Sequence, residues 1–420
     1  MKIAVIGSGI SGLSAAYYLS KKHKVDLFEK EDRFGGHSHT LEISTDIQSK
    51  KKIRTDIGFI VFNKHTYPNL INFFSEIGIE IEKSNMSLSF LVKEKNLEYS
   101  GKGVRGIFSY KKNLFDLNFL KMFYEIIKFY NKSSKLNDID ENLNLGTFLQ
   151  KEKMSDFFIN YHILPMVSAI WSMPPDNAKN MPIKFFLKFF QNHGLFKLKN
   201  RPQWYTVKNR SIEYVNEVIK KISGEHFKNY KINKVTRSSN SARVFYGGES
   251  EYFEYDKVVI ATHADEALSI IDEPSDDEKS ILCNFKYKKN LAVIHFDETV
   301  MPKKKINWSA WNTFVSENND SSVTYWLNLL QNLNIEKNIF LTLNPHFNID
   351  EKLIIDKIQF SHPYYDHDTL KNQKKLDLLQ NKQNILFCGS YHGYGFHEDG
   401  IKSAVNMAKL LKINIPWENQ

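Results

Sequence analysis

The spacing of apolar and polar positions divides the chain into short elements. Residues 2–6 (KIAVI) are an apolar run, residues 10–20 a helix-period stretch rich in Gly, Ser and Ala, and residues 24–28 (KVDLF) a second apolar run. Runs of this length bounded by turn residues read as buried parallel strands, so the chain opens with strand, glycine turn, helix and strand. Further on, the 3.6-residue period predicts helices at 114–131, 145–158, 183–190 and 212–222. Apolar runs predict strands at 291–296, 322–326, 339–343 and 357–360, forming a mixed sheet. Residues 257–263 (KVVIATH) read as another buried strand, and 230–235 as a short alternating stretch. Residues 385–390 and 393–400 read as a strand and a glycine loop leading into a helix over 401–411.

The opening unit carries chemistry. Gly7 permits a sharp turn after the strand, Gly9 lets backbone approach a pyrophosphate with no Cβ between, and Gly12 lets the helix lie close to the strand. A helix beginning at Ile10 and Ser11 points free N–H groups, equivalent to about half a positive charge, at the phosphates. Glu29, closing the second strand beside Lys30, is placed to accept from ribose hydroxyls. Past it, Arg33, Gly35, Gly36 and His37 supply a cation and a glycine pair. They fit a clamp over the second side of an extended FAD better than an NAD site, though an ordinary turn explains them equally well.

Three later segments bear on that choice. The strand 257–263 ends in small residues, Ala261 and Thr262, where chain can pass close to a cofactor. Residues 230–235 are either a plain sheet strand or backbone lying against an adenine edge. In the C-terminal loop, a helix starting at Gly400 and Ile401 aims its dipole at the negative end of a reduced flavin, with Gly389 in the strand before it.

The ordered set GSGISG, EKEDRFGGH, TDIGF, VVIATHA and FCGSYHGYGFHEDGIKSA resembles the FAD-dependent amine oxidase and phytoene desaturase superfamily along the whole chain. More narrowly, ILPMVSAIWSMPP, FFLKFFQNHGL, RPQWYTVKNRS, SVTYWLNLLQNL and FLTLNP resemble the oxidoreductases associated with cyclopropane-fatty-acid synthases, and the domain fused ahead of plant cyclopropane synthases. The resemblance implies an α/β fold: a Rossmann-like FAD-binding domain with an inserted α+β substrate domain of mixed sheet and helices. It implies FAD contacts from Gly7, Gly9, Gly12, Glu29, Arg33, Gly36, Val235, Gly389, Gly400 and Ile401. It also places Thr55 to Phe59, with Gly58, near the flavin. His37 stands where many relatives carry Arg, which puts a second pyrophosphate cation in doubt.

Composition narrows the rest. The 420 residues, 42% hydrophobic, suit two intergrown domains: flavin-binding blocks at 1–75, 204–269 and 377–420, and substrate-binding insertions at 76–203 and 270–376. Cys283 and Cys388 are too few for a disulfide framework, and a strand beginning at residue 2 leaves no room for a signal peptide, so the expected location is cytoplasmic. A net charge of +9 comes from scattered cations with no nucleic-acid module, so nucleic acid is not expected. Two stretches mix aromatics with lysine: 108–132, and 183–199 with Phe185, Phe186, Phe189 and Phe190 beside Lys184 and Lys188. Each reads either as a core-facing amphipathic helix or as a surface for peripheral contact with the inner face of a membrane, or the roof of a lipid tunnel. The second GxGxxG, at 101–106, lacks the flanking strand and small-residue helix and reads as a turn. His37, His39, His392 and His397 lack the pattern of a metal site.

Flavin chemistry needs a dry, mostly apolar pocket. Trp171, Trp308, Trp311 and Trp326 are the expected walls. Tyr391, His392, Tyr394 and His397 are candidates either for proton transfer or for fixing the loop by hydrogen bonds. The expected activity is FAD-dependent oxidation by hydride transfer to flavin N5, and the resemblance implies an unsaturated, methylated or cyclopropane-modified fatty acyl chain as the substrate. The alternatives are double-bond isomerisation, amine oxidation, and a non-catalytic flavoprotein partner of a lipid methyltransferase.

Overall fold

A computed structural model describes residues 1–44, 52–134, 139–197, 199–248, 250–316 and 320–419; the parts of the expected blocks that fall on 45–51, 135–138, 198, 249, 317–319 and 420 lie outside the described residues. The opening strand Lys2–Ile6 is buried along almost its whole length. It pairs in parallel with Lys24–Phe28 on one side and Lys257–Ile260 on the other. His226–Phe227 and Ile385–Phe387 extend the sheet at its two edges, also in parallel. Stretches separated by more than two hundred residues thus meet in one five-stranded parallel sheet, whose buried strands are the near-continuous apolar runs seen in the sequence. The helix Ile10–Ser20 packs on it beside the final helix His397–Leu410. Leu13, Ala16, Ile401, Ala404 and Ala408 belong to one apolar core there.

A mixed seven-stranded sheet runs in the order Ile354–Tyr364, Lys286–His295, Phe340–Leu343, Ser321–Trp326, Trp311–Val315, Leu88–Val92 and Leu97–Ser100. Its neighbours are antiparallel except Trp311–Val315 with Leu88–Val92. A helical layer that includes Leu117–Ser133, Leu164–Trp171 and Ile183–Asn192 builds a second core with a face of this sheet, joining Phe129, Phe158 and Phe186 to Phe90 and Val315. No described helix is long and apolar enough to cross a membrane.

Most predicted elements appear with shifted ends; two differ in kind, and the last helix starts a turn early. The helix expected at 145–158 is two, Leu145–Lys151 and Asp156–Phe158, because Lys153 between them has a positive φ of 53°. Residues 230–233 are not strand: Asn229 and Tyr230 spend their N–H groups on the carbonyls of Glu31 and Glu29, and the strand begins only at Lys234. The last helix starts at His397, before Gly400, because the Asp399 carboxylate accepts from the Phe396 N–H at 2.9 Å and fixes the first turn there. At the second glycine motif, a strand ending at Ser100 leads only into the short helix Val104–Ile107.

Candidate dinucleotide and substrate cavity

One cavity of about 1000 Å³ opens along the carboxyl ends of the parallel strands, where ligands collect in open α/β sheets. Its first end is built by the opening turn. Gly7 has φ +98°, and a Cβ on Gly12 would sit 1.8 Å from the Gly7 carbonyl oxygen, so the fold itself requires these two glycines. Gly9 is different: a Cβ there would meet nothing within 4 Å. The protein leaves that space beside the uncapped N-terminus of the helix Ile10–Ser20, whose first N–H groups have no side-chain partner. A pyrophosphate fits a cradle of this kind.

Glu29 stands opposite. One carboxylate oxygen accepts from the N–H and hydroxyl of Ser8, the other from the Glu31 N–H at 3.0 Å, which fixes the side chain at the cavity wall. Arg33 donates to the Gly36 carbonyl at 2.9 Å, and a Cβ on Gly36 would come within 3.0 Å of Gly9 Cα. The glycine pair is therefore the second side of the same cradle. Burial lowers the Arg33 pKa, with Glu29 acting against it. Lys30 bridges to Glu266 at 2.6 Å.

The second end is a chamber of rings and aliphatics: Trp171, Phe189, Trp311, Tyr325, Phe360, Tyr394 and Phe396, with Leu341 and Leu343. Every charged residue on the described wall (Glu29, Lys30, Glu31, Asp32, Arg33, Lys231 and Glu266) belongs to the dinucleotide end. Between the two ends lie His37, His263, His362 and His397. Burial lowers the pKa of all four: His362 to about 4, His397 to about 3, and His37 well below the usual imidazole range, with His362 and His263 depressing His37 further. All are neutral at pH 7. His397 stacks on Phe59 with ring centres 3.7 Å apart, and its Nε2 lies 2.9 Å from the Ser38 hydroxyl and 3.2 Å from that of Tyr214. His362 Nδ1 lies 2.9 Å from the Asn290 amide nitrogen. Buried polar atoms without a partner gather on this wall, among them His37 Nε2, Trp171 Nε1, Trp311 Nε1 and the Tyr391 hydroxyl. Buried polar groups are ordinarily paired, so these atoms suit a bound polar group.

Of the sequence-derived site residues, Gly7, Gly9, Ile10, Ser11, Glu29, Lys30, Arg33, Gly36, His37, Gly58, Ala261, Thr262, Gly389, Trp171, Trp311, Tyr391, Tyr394 and His397 line the cavity. The others stand behind it. Gly12 serves helix packing, and Gly35, at φ +115°, turns against Ser38. Thr55 is buried beside Gln331, which accepts the Asp56 N–H. Val235 lies fully buried in an antiparallel three-stranded sheet, and the preceding residues Tyr230, Lys231 and Ile232 take the wall instead. Gly400 packs on Ser11, and Ile401 is in the core. His392 is half-buried against Tyr391, with its Nε2 buried and unpartnered. Trp308 and Trp326 pack on each other in a separate cluster with Phe340, their indole N–H groups donating to Pro302 and Asn338. Glu398 caps a helix other than its own: it accepts from the N–H groups of Asn69 and Leu70 at the start of Pro68–Ile77.

Sequence reasoning missed His263, Phe360, His362, Phe396 and His193 as wall residues. The run 358–363 lines the cavity throughout and belongs to the edge strand of the large sheet. Pro363 in an otherwise strand-like run was the available signal, since proline within sheets is confined largely to edges.

Residues 5–77 match the model of the NAD(P)-binding Rossmann-like domain. The chain is 38% identical over 82 residues to a 1-hydroxycarotenoid 3,4-desaturase of Flavobacterium sp. (strain P99-3), covering 19% of this chain and 15% of that one. It is 50% identical over 46 residues to prenylcysteine oxidase 1 of Rattus norvegicus, covering 10% and 9%. The matched stretches thus span a small part of each relative. Whole-chain likeness comes from solved structures. A CLA-producing fatty acid isomerase from P. acnes superposes with TM-score 0.67 at 15% identity over 98% of this chain and 97% of that one. Putrescine oxidase bound to putrescine superposes with TM-score 0.70 at 12% identity over 99% and 100%. The chain therefore has an N-terminal Rossmann-like dinucleotide-binding unit within the amine oxidase-like fold.

Proposed function

We propose that this chain is an FAD-dependent oxidoreductase that desaturates an unsaturated, methylated or cyclopropane-modified fatty acyl chain. The observation that carries the reading is the polarity of this cavity: one end offers a phosphate cradle and a ribose acid, the other is lined by rings and aliphatics without a charged side chain among the described residues. FAD, when bound, supplies a hydride acceptor. The chain's own part is to hold the dinucleotide through Gly9, Glu29, Arg33 and Gly36, and to keep water from the reacting carbon with Trp171, Phe189 and Trp311. An alkyl chain is at home in such a chamber. A cationic amine would lose its water there with no carboxylate in return, which sets amine oxidation behind.

His397 is the best-placed proton carrier, on the wall and within reach of the Ser38 and Tyr214 hydroxyls. Its low pKa makes any proton it takes a transient one. A redox-neutral double-bond isomerase is the second reading, favoured by the fold shared with the fatty acid isomerase.

The test is anaerobic titration of purified protein with phospholipids and free fatty acids while flavin absorbance is followed. Bleaching by one lipid class supports oxidation, and double-bond migration without net bleaching supports isomerisation. Gly9→Val, whose Cβ meets no protein atom within 4 Å, is expected to fold with unchanged circular dichroism and come off the column colourless. Wild-type protein that is colourless and takes up no added FAD would sink the reading.

A further inference from the structure

We infer that the surface formed by residues 104–124 and 303–306 is a docking face for an anionic lipid bilayer. Large apolar side chains stand out from it into solvent: Phe115 is 83% exposed, Leu117 80%, Val104 73% and Tyr124 65%, with Leu114 and Ile306 about half exposed. These are not stray surface residues. Lys304 donates to the Ser109 carbonyl at 2.6 Å, and the Asn307 amide donates to the Ser109 hydroxyl at 2.8 Å, joining the two segments. Along the helix Leu117–Ser133 the outward positions Leu117, Lys121, Tyr124 and Lys128 follow one helical stripe.

The local backbone holds the apolar groups outward. Asp116 caps the helix by accepting from the N–H groups of Asn118 and Phe119, and buried Asn113 donates to the Glu98 carbonyl at 3.2 Å. The inward positions are already filled, with Phe108 packed on Phe119 and Phe123. Phe115 and Leu117 therefore have no inward place to go.

Charge selects the occupant. Arg105, Lys111, Lys112, Lys121, Lys303, Lys304 and Lys305 ring the apolar groups, all exposed, and Asp116 is the one exposed acid in these two segments. Apolar groups set among cations match a bilayer with anionic headgroups, where rings enter the interface and lysines meet phosphate. A second copy of the same face would bring like charges together. The inference goes beyond the catalytic reading and does not rest on it, since a chain without flavin would keep this face.

The experiment is sedimentation of the full-length protein with vesicles of phosphatidylcholine alone and of phosphatidylcholine with phosphatidylglycerol, at low and high salt. Binding is expected to the anionic vesicles, weakened by salt. Phe115→Ser with Leu117→Ser is expected to weaken it on the order of 30-fold, and Lys111→Gln with Lys305→Gln by about fivefold per charge. Melting temperature and circular dichroism serve as fold controls. Three results would overturn the inference: failure of wild type to sediment with anionic vesicles, undiminished binding by the Phe115 and Leu117 double variant, or self-association lost in that variant while vesicles are ignored.

Discussion

Two stretches of similar composition end in opposite places. The helix Ile183–Asn192 and the 104–124 segment both mix phenylalanine, leucine and lysine. In the first, Phe185, Phe186, Phe189 and Phe190 are all buried, with Phe186 and Phe190 at 0% exposure. Two of its faces have partners: Phe186 and Phe190 meet Phe196, while Phe185 and Phe189 meet Tyr394. Its exposed positions are Lys184, Lys188 and the terminal Asn192. In the second, one face is covered and the other carries its apolar groups outside. The difference teaches that hydrophobic content does not decide burial; the number of faces that find a partner does. The Ile183–Asn192 helix lies in the core with Phe189 on the cavity wall, and the membrane contact proposed above concerns the other segment.

The largest expected effect tests that contrast directly. Phe186→Ala leaves a void among Phe129, Phe190 and Phe196 and should cost about 3–5 kcal/mol. Phe115→Ala should stay within about 0.5 kcal/mol. Urea denaturation at neutral pH measures both, and equal losses would break the comparison.

A pH series sharpens it. His193, just past the phenylalanine helix, stacks on Phe189 at 3.9 Å, and burial lowers its pKa from 6.5 to about 4. Between those values the unfolded chain binds a proton that the folded chain refuses, so this contribution is intact above pH 6.5 and lost as pH falls toward 4. At about 1.4 kcal/mol per pKa unit, the loss is about 2 kcal/mol at pH 5 and about 3 kcal/mol at pH 4. His193→Asn should flatten the acid slope by that amount in denaturation curves taken at pH 7 and pH 5. The 104–124 segment holds no histidine, so Phe115→Ala should leave the wild-type slope unchanged.

The same contrast governs how much the sequence disclosed. The glycine turn and Glu29 were legible because their requirements are local: a φ of +98° at Gly7 and a 1.8 Å approach at Gly12 leave their mark on residue type. The seven-stranded sheet was legible as runs, but not in its order, which depends on pairings more than two hundred residues apart. Val235 and Gly400 missed the wall for a related reason. Where a strand or helix begins is set here by distant or capping contacts, Glu29 and Glu31 with residues 229–230 and Asp399 with Phe396. Trp308 and Trp326 look like pocket walls in isolation, and only tertiary packing shows that they wall each other. Glu398 likewise serves a helix more than three hundred residues away in the chain.

The smallest expected effect is also the most discriminating, because it moves two readouts in opposite directions. Asp116 holds two helix N–H groups, those of Asn118 and Phe119, at 3.0 and 3.2 Å. Removing such a cap costs about 1 kcal/mol, so Asp116→Ala should lower the urea midpoint slightly. Asp116 is also the one exposed acid among seven exposed cations in the segments 104–124 and 303–306, and each added unit of positive charge near an anionic bilayer is worth about 1 kcal/mol. The variant should therefore bind phosphatidylglycerol vesicles about fivefold more tightly while being less stable. A face with only a structural role would lose stability and gain nothing, and fraying of the first turn would, if anything, weaken the display of Leu117. Tighter binding by a less stable protein is accounted for only if the charge of this surface faces the membrane.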